Sequence, residues 1–201
     1  MCPGKEDMFR FLEDIVREVV PLFPGKYFHI GGDECPKTSW KNCPTCQKRI
    51  EAEGLQADGK HSAEERLQSY VIKRMEKMLA KYGRKIIGWD EILEGGLSPE
   101  ATVMSWRGTS GGISAALQKH DVIMTPGSGG LYLDHYQGDY KIEPVTIPSA
   151  PAYLSRTYNY EPVPDTIKSL GLEKHILGVQ CNNWSEYMYT CLLYTSDAAD
   201  E

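Results

Sequence analysis

Two adjacent acids, Asp33 and Glu34, stand near the end of the stretch KYFHIGGDEC, directly after an apolar run and two glycines. Like charges at close range repel, so one of such a pair tends to hold its proton unless both are well solvated. A carboxylic acid that is protonated near neutral pH can donate to a leaving oxygen. Aromatic groups accompany further acids: Trp89 with Asp90 and Glu91 in GWDEIL, Trp106 with Arg107 in VMSWRG, Tyr132 and Asp134 in LYLDHY, and Trp184 with Glu186 in NNWSEY. An indole face packs against the C–H face of a sugar ring while carboxylates take its hydroxyls. Tyr132 and Asp134 are two apart and point the same way if that segment is extended. The usual retaining glycosidase needs a second carboxylate about 5 Å from the first, across the sugar. Neighbouring residues lie on one side of a substrate unless the backbone turns sharply between them. The second group is therefore a distant acid such as Glu91 or Glu186, or the substrate supplies its own nucleophile.

The elements that must position these residues follow from the apolar pattern. Glu6–Leu22 has helical spacing at Phe9, Leu12, Ile15, Val16, Val19 and Val20. Lys26–Gly31 is a short apolar strand. Cys35–Gly59 is a polar loop with room for a short helix around Gln47–Glu53. Ser62 and Glu65 form a capping box, opening a helix to about Tyr82 with Tyr70, Val71, Met75, Met78 and Leu79 inward; Gly83 stops it. RKIIGW and ATVMSW are strands ending at Trp89 and Trp106. Ser110–His120 is a helix weakened by two glycines, DVIMT a fourth strand, 126–164 irregular, Asp165–Leu170 a short helix, and ILGVQCNNW a fifth strand. Apolar strands alternating with helices predict a parallel sheet covered on both faces. Site residues in such folds gather at the carboxyl ends of strands, where three of the four tryptophans and most of the candidate acids fall.

Composition narrows the class. The chain has 201 residues, 41% hydrophobic and 25% charged, with a net charge of −6. That length supports a real core. The acidic balance argues against nucleic acid and anionic membranes, and no run reaches the roughly 20 apolar residues of a membrane helix. No signal peptide is visible in MCPGKEDMFR. Six cysteines occur: Cys2, Cys35, Cys43, Cys46, Cys181 and Cys191. Cys43 and Cys46 form a C-x-x-C with Cys35 nearby, but zinc would want a fourth ligand. A loop disulfide or free thiols are expected instead, and the motif is placed in a polar loop rather than at the redox position opening a helix.

The ordered motifs HIGGDE, GWDEIL, VMSWRG, YLDHYQ and NNWSEY resemble those of family 20 glycoside hydrolases, the β-N-acetylhexosaminidases, over most of the chain. The resemblance implies an α/β (β/α)₈ TIM barrel, here incomplete with roughly strands 4–8, and a retaining, substrate-assisted mechanism, a class that departs from the two-carboxylate rule. It implies Glu34 as general acid/base and Asp33 as the group that orients and polarises the substrate's 2-acetamido group. Tyr132 would hydrogen-bond the acetamido oxygen, Trp89, Trp106 and Trp184 would box in the sugar, and Asp134 and Glu186 would hold its hydroxyls. Partners would be glycans containing N-acetylglucosamine or N-acetylgalactosamine. No cofactor, metal, nucleic acid or membrane span is called for, and the full-length protein would be periplasmic or extracellular. The family's earlier strands, a substrate-binding arginine and a further histidine motif have no counterpart. Residues 1–190 are expected to be the partial catalytic domain. Residues 191–201, CLLYTSDAADE, resemble a translated sequencing adapter and are set outside the fold.

Other chemistries are compatible with these residues. One is a two-carboxylate retaining glycosidase with Glu186 as nucleophile, which would cleave substrates lacking the acetamido group. Another is a non-catalytic amino-sugar-binding module. A third is a metal held by Asp33 and Glu34, which a chelator would disturb.

Overall fold

The computed structural model describes residues 1–147 and 149–188. The reading of 191–201 as a foreign tail therefore lies outside the described residues. The elements run α1 (Glu6–Val19), β1 (Tyr27–His29), α2 (Thr38–Lys41), α3 (Pro44–Ala52), α4 (Ala63–Ala80), β2 (Lys85–Trp89), β3 (Thr102–Ser105), α5 (Ser110–Leu117), β4 (Val122–Met124), α6 (Leu154–Tyr158), α7 (Asp165–Ser169) and β5 (Ile176–Val179). The strands follow chain order across one five-stranded sheet. β1 with β2, β2 with β3, and β4 with β5 are parallel. Among the described residues no helix is long and apolar enough to cross a membrane. The chain divides into two compact units, Met1–Met104 with Gln118–Asp121, and Ser105–Leu117 with Val122–Glu201.

In the first unit, α1 buries Phe9 and Val16, while Ile15, expected inward, is 41% exposed. α4 is the principal covering helix. Its Ser62 accepts from the Glu65 N–H at 3.2 Å and its Glu65 carboxylate accepts from the Ser62 N–H at 2.6 Å, the capping box legible in the sequence. Leu67, Ile72, Met75, Met78 and Leu79 of α4 are buried, as are Ile86 and Ile87 of β2. Each such side chain contributes roughly 1.5–3 kcal/mol by leaving water. Glu6 of α1 bridges Arg74 of α4 and Arg49 of α3, and the Arg74 guanidinium lies 3.9 Å from the centre of the Phe9 ring. The C-x-x-C, expected in a polar loop, instead opens a helix. Cys43 is the N-cap of α3 with Pro44 in its first turn, because proline's fixed φ and missing N–H suit that position.

In the second unit, β4 buries Val122 and Met124, and α5 packs Ala115 and Ala116 at zero exposure. The glycine at 112 permits the close approach of α5: a Cβ there would lie 2.7 Å from the Met124 sulfur. The β4–β5 pairing shifts register between Val122 and Ile123. β5 departs from the expected two-sided burial, since Leu177 and Val179 are 46% and 49% exposed. Among the described residues that face is only about half covered, whereas a sheet packed on both sides would bury it.

Candidate active site

The GGDE turn is built by two glycines in left-handed conformations. Gly31 has φ 72° and Gly32 φ 99°, and Glu34 itself has φ 43°. Glycine adopts such angles freely; a glutamate there carries strain of order 1–3 kcal/mol. The sequence alone left open whether the backbone turns between the two acids. It does: Glu34, like Gly31 and Gly32 before it, takes a left-handed backbone conformation, and both acids are exposed. The turn is anchored from both sides. Ile30 N–H donates to Ile87 O at 2.8 Å and Trp89 N–H to Gly31 O at 2.9 Å. Gln68, buried on α4, donates from Nε2 to Gly32 O at 3.0 Å and to Glu91 O at 3.3 Å. It thereby fixes the loops after β1 and β2 to one helix. A Cβ on Gly32 would meet the Ile92 Cγ2 at 2.6 Å, so glycine is required by packing as well as by φ.

Trp89, half-buried at the end of β2, packs its ring against His29 with centroids 4.7 Å apart. His29 Nδ1 accepts from the Gly31 N–H at 3.1 Å. Loss of hydration around the ring lowers the His29 pKa below its ordinary value, against the opposing pull of the Asp33 charge. Asp90 and Glu91, read as candidate acids at a strand end, are instead buried in a 3₁₀ turn, 2% and 6% exposed. Glu91 is thereby a poor nucleophile for an entering sugar. A cavity of about 560 Å³ touches Asp33 and Glu34, walled by Ile30, Ile72, Met75 and Trp40; its apolar wall suits packing more than a polyhydroxylated ring.

In the second unit the ends of β3, β4 and β5 are tied together by polar groups. Thr125 N–H donates to Ser105 O at 3.0 Å, and Gly127 N–H to Trp106 O at 3.3 Å. Asn182, buried, donates from Nδ2 to the Thr125 hydroxyl at 2.7 Å and from its N–H to Leu131 O at 2.8 Å. Tyr132 pairs with Asn182 through a lone parallel bridge. Tyr132 and Asp134 would point the same way in an extended segment, but Tyr132–His135 is not extended. His135 N–H bonds back to Tyr132 O at 3.1 Å, closing a turn. That turn still gathers the polar groups: the His135 ring stands edge-on to Tyr132 at 5.3 Å, and its Nε2 lies 4.0 Å from Asp134 Oδ2.

Asp134 is 8% exposed, and among the described residues neither carboxylate oxygen accepts a hydrogen bond. A buried carboxylate without donors is costly, so its oxygens are suited to hydroxyl donors from a ligand. It lines a cavity of about 360 Å³ with His135, Glu143, Trp184 and Tyr187. Trp184 is 40% exposed, and Glu186 is exposed on the turn after it. Thus Asp134 and Trp184, fifty residues apart, meet at one cavity. The sequence reading missed Gln68, His135 and Asn182. His135 and Asn182 were inside quoted motifs, but Gln68 carries no signal beyond being polar beside an apolar helix stripe.

The chain is 58% identical over 199 residues to a β-hexosaminidase of Porphyromonas gingivalis, covering 98% of this chain and 24% of that protein. It is 35% identical to a β-hexosaminidase of Vibrio furnissii, covering 92% of this chain and 30% of that protein. The chain therefore spans about a quarter to a third of the length of these relatives. Among solved structures, a GH20 exo-β-N-acetylglucosaminidase from Vibrio harveyi in complex with N-acetylglucosamine superposes with a TM-score of 0.82 at 30% identity, over 94% of this chain and 29% of that one. A β-N-acetylhexosaminidase from Bacteroides fragilis does so with a TM-score of 0.72 at 27% identity, over 92% and 36%. The family profile "Glycosyl hydrolase family 20, catalytic domain" matches residues 1–196, and the chain, a parallel α/β sheet with its acids at strand ends, belongs to that family.

Proposed function

We propose that this chain carries the acid/base half of a β-N-acetylhexosaminidase, which removes terminal N-acetyl-β-hexosamine from the non-reducing ends of glycans with retention. The observation that carries this reading is the Gly31–Glu34 turn. Its backbone holds two neighbouring acids, both exposed, just past the end of β1, where one substrate can meet both. Glu34 donates a proton to the glycosidic oxygen as the bond to the anomeric carbon breaks. The substrate's acetamido oxygen attacks that carbon, and Asp33 orients the acetamido group and balances the positive charge that develops on it. Glu34, now a carboxylate, then takes a proton from the water that opens the cyclic intermediate. Preorganised charge of this kind acts where the transition state develops it. Tyr132 hydrogen-bonds the acetamido oxygen. Trp89, Trp106 and Trp184 pack on the ring, and Asp134 and Glu186 accept from its hydroxyls.

The reading is supported by the family match over residues 1–196 and by the Asp134 carboxylate, which accepts no hydrogen bond among the described residues and suits a hydroxylated ligand. The test is turnover of paired aryl β-glycosides with and without the 2-acetamido group, by this chain within a complete barrel. Cleavage of the acetamido substrate alone is expected, with tight binding of a thiazoline mimic of the cyclised intermediate. Equal cleavage of both substrates would point to two-carboxylate chemistry, and binding without turnover to a sugar-binding module.

A further inference from the structure

Three thiols that the sugar chemistry does not use come together in the first unit. Cys2 Sγ lies 3.6 Å from Cys43 Sγ and 3.5 Å from Cys46 Sγ, and all three sulfurs fall within 4.8 Å of one another. The third partner of the C-x-x-C is thus Cys2, not Cys35. The arrangement is built by the fold. Cys43 and Cys46 are three apart at the opening of α3, so they share one face of its first turn. The N-terminal segment is pressed onto that turn: a Cβ on Gly4 would lie 2.3 Å from the Thr45 carbonyl. Trp40 Nε1–H donates to Met1 O at 3.2 Å, and Arg49 to Gly4 O at 3.5 Å. Cys46 is 1% exposed and packs with Ile50 and Leu67.

We propose that Cys2, Cys43 and Cys46 bind a soft d¹⁰ metal ion, zinc in the first instance, as a structural clamp between the N-terminal segment and α3. Zn–S bonds of about 2.3 Å in a tetrahedron put ligand sulfurs about 3.8 Å apart, close to the observed spacing and far from the roughly 2.05 Å of a disulfide. A disulfide between any two would leave the third thiol without a partner in the cluster, whereas a metal uses all three. Among the described residues no fourth His, Cys, Asp or Glu joins the group, so the fourth position goes to water, with the Thr45 hydroxyl at 3.0 Å from Cys43 Sγ and 3.3 Å from Cys2 Sγ. The clamp fixes the far end of the segment that begins at Glu34.

The test is metal analysis of full-length protein purified under reducing conditions without an affinity tag that binds metal. About one zinc per chain is expected. Cobalt substitution should give thiolate-to-cobalt charge transfer with tetrahedral d–d bands, a readout that needs no variant. Cys2→Ser should weaken zinc binding on the order of 100-fold or more, while Cys35→Ser and Cys181→Ser should retain it. Wild-type protein that binds no zinc after reduction and exchange, or whose bound cobalt lacks thiolate bands, overturns the proposal. So does a disulfide between two of the three thiols in protein whose reduced form takes up no metal.

Discussion

Asp134 carries two requirements that pull in opposite directions. A carboxylate that is 8% exposed and accepts no hydrogen bond among the described residues destabilises the sugar-free protein, yet in the proposed function it is the group that accepts from a sugar hydroxyl. Asp134→Asn removes the charge. The expected outcome is a Tm equal to or a few degrees above that of the parent, with KM for an aryl N-acetyl-β-hexosaminide raised on the order of 10-fold or more, since a hydrogen bond to a charged group contributes about 1.5–3 kcal/mol. A Tm loss of many degrees would make Asp134 a structural anchor instead. Gly32→Ala should behave in the reverse way. Its φ of 99° and the 2.6 Å approach to Ile92 give a cost of about 1–3 kcal/mol, read as a lowered Tm by thermal unfolding. At this scale much was legible in the sequence. Acids, indoles and the double glycine announce themselves by type and neighbour. The left-handed φ of Glu34 does not, and Gln68 gains its meaning only from two carbonyls it meets across α4.

Helix α4 shows how an element carries the site. Its capping box sets where the helix starts, and Gln68, buried one turn further on, donates to the Gly32 and Glu91 carbonyls. The Ser62 N–H bonded to the Glu65 carboxylate is the main cause that holds Glu65 below the usual carboxylate range of about 4.5. A carboxyl with a depressed folded pKa adds stability above its unfolded value and loses it as pH falls through the folded one. Glu65→Gln should therefore be less stable than the parent at pH 7, by about 1 kcal/mol or less. The gap should begin to narrow as the pH drops below about 4.5; a gap that does not change with pH would assign it to packing. The strands were legible as elements because continuous apolar runs have few other uses, although each is shorter than its apolar run. Helix α3 was only half legible. It buries Cys46 and Ile50 alone, too few for a stripe, and its proline start looks like a loop.

The described residues hold five strands, where a (β/α)₈ barrel holds eight, and the chain spans 24% and 30% of its two curated relatives. β1 leaves Tyr27 and Phe28 half-buried, and β5 exposes Leu177 and Val179. Unpaired strand edges with apolar side chains invite association, and a domain is stable by only roughly 5–15 kcal/mol. Residues 1–201 expressed alone are therefore expected to associate, to lack a cooperative thermal transition and to show no hexosaminidase turnover. The same residues within a complete barrel should fold and turn over. A soluble, active, cooperatively unfolding monomer of 1–201 would mean that five strands suffice. The fold class was legible from the alternation of elements. The exposure of β5 was not, because an apolar strand looks the same whether or not a neighbour covers it.

The division of labour between Asp33 and Glu34 is tested most directly by leaving-group dependence. Aryl N-acetyl-β-glucosaminides with graded leaving groups are turned over by Glu34→Gln and Asp33→Asn variants of the complete barrel. Glu34→Gln should lose least with the best leaving groups, which need little protonation. Asp33→Asn should lose on the order of 10² or more with every substrate, because the acetamido nucleophile is no longer held. The same leaving-group dependence in both variants would contradict the account.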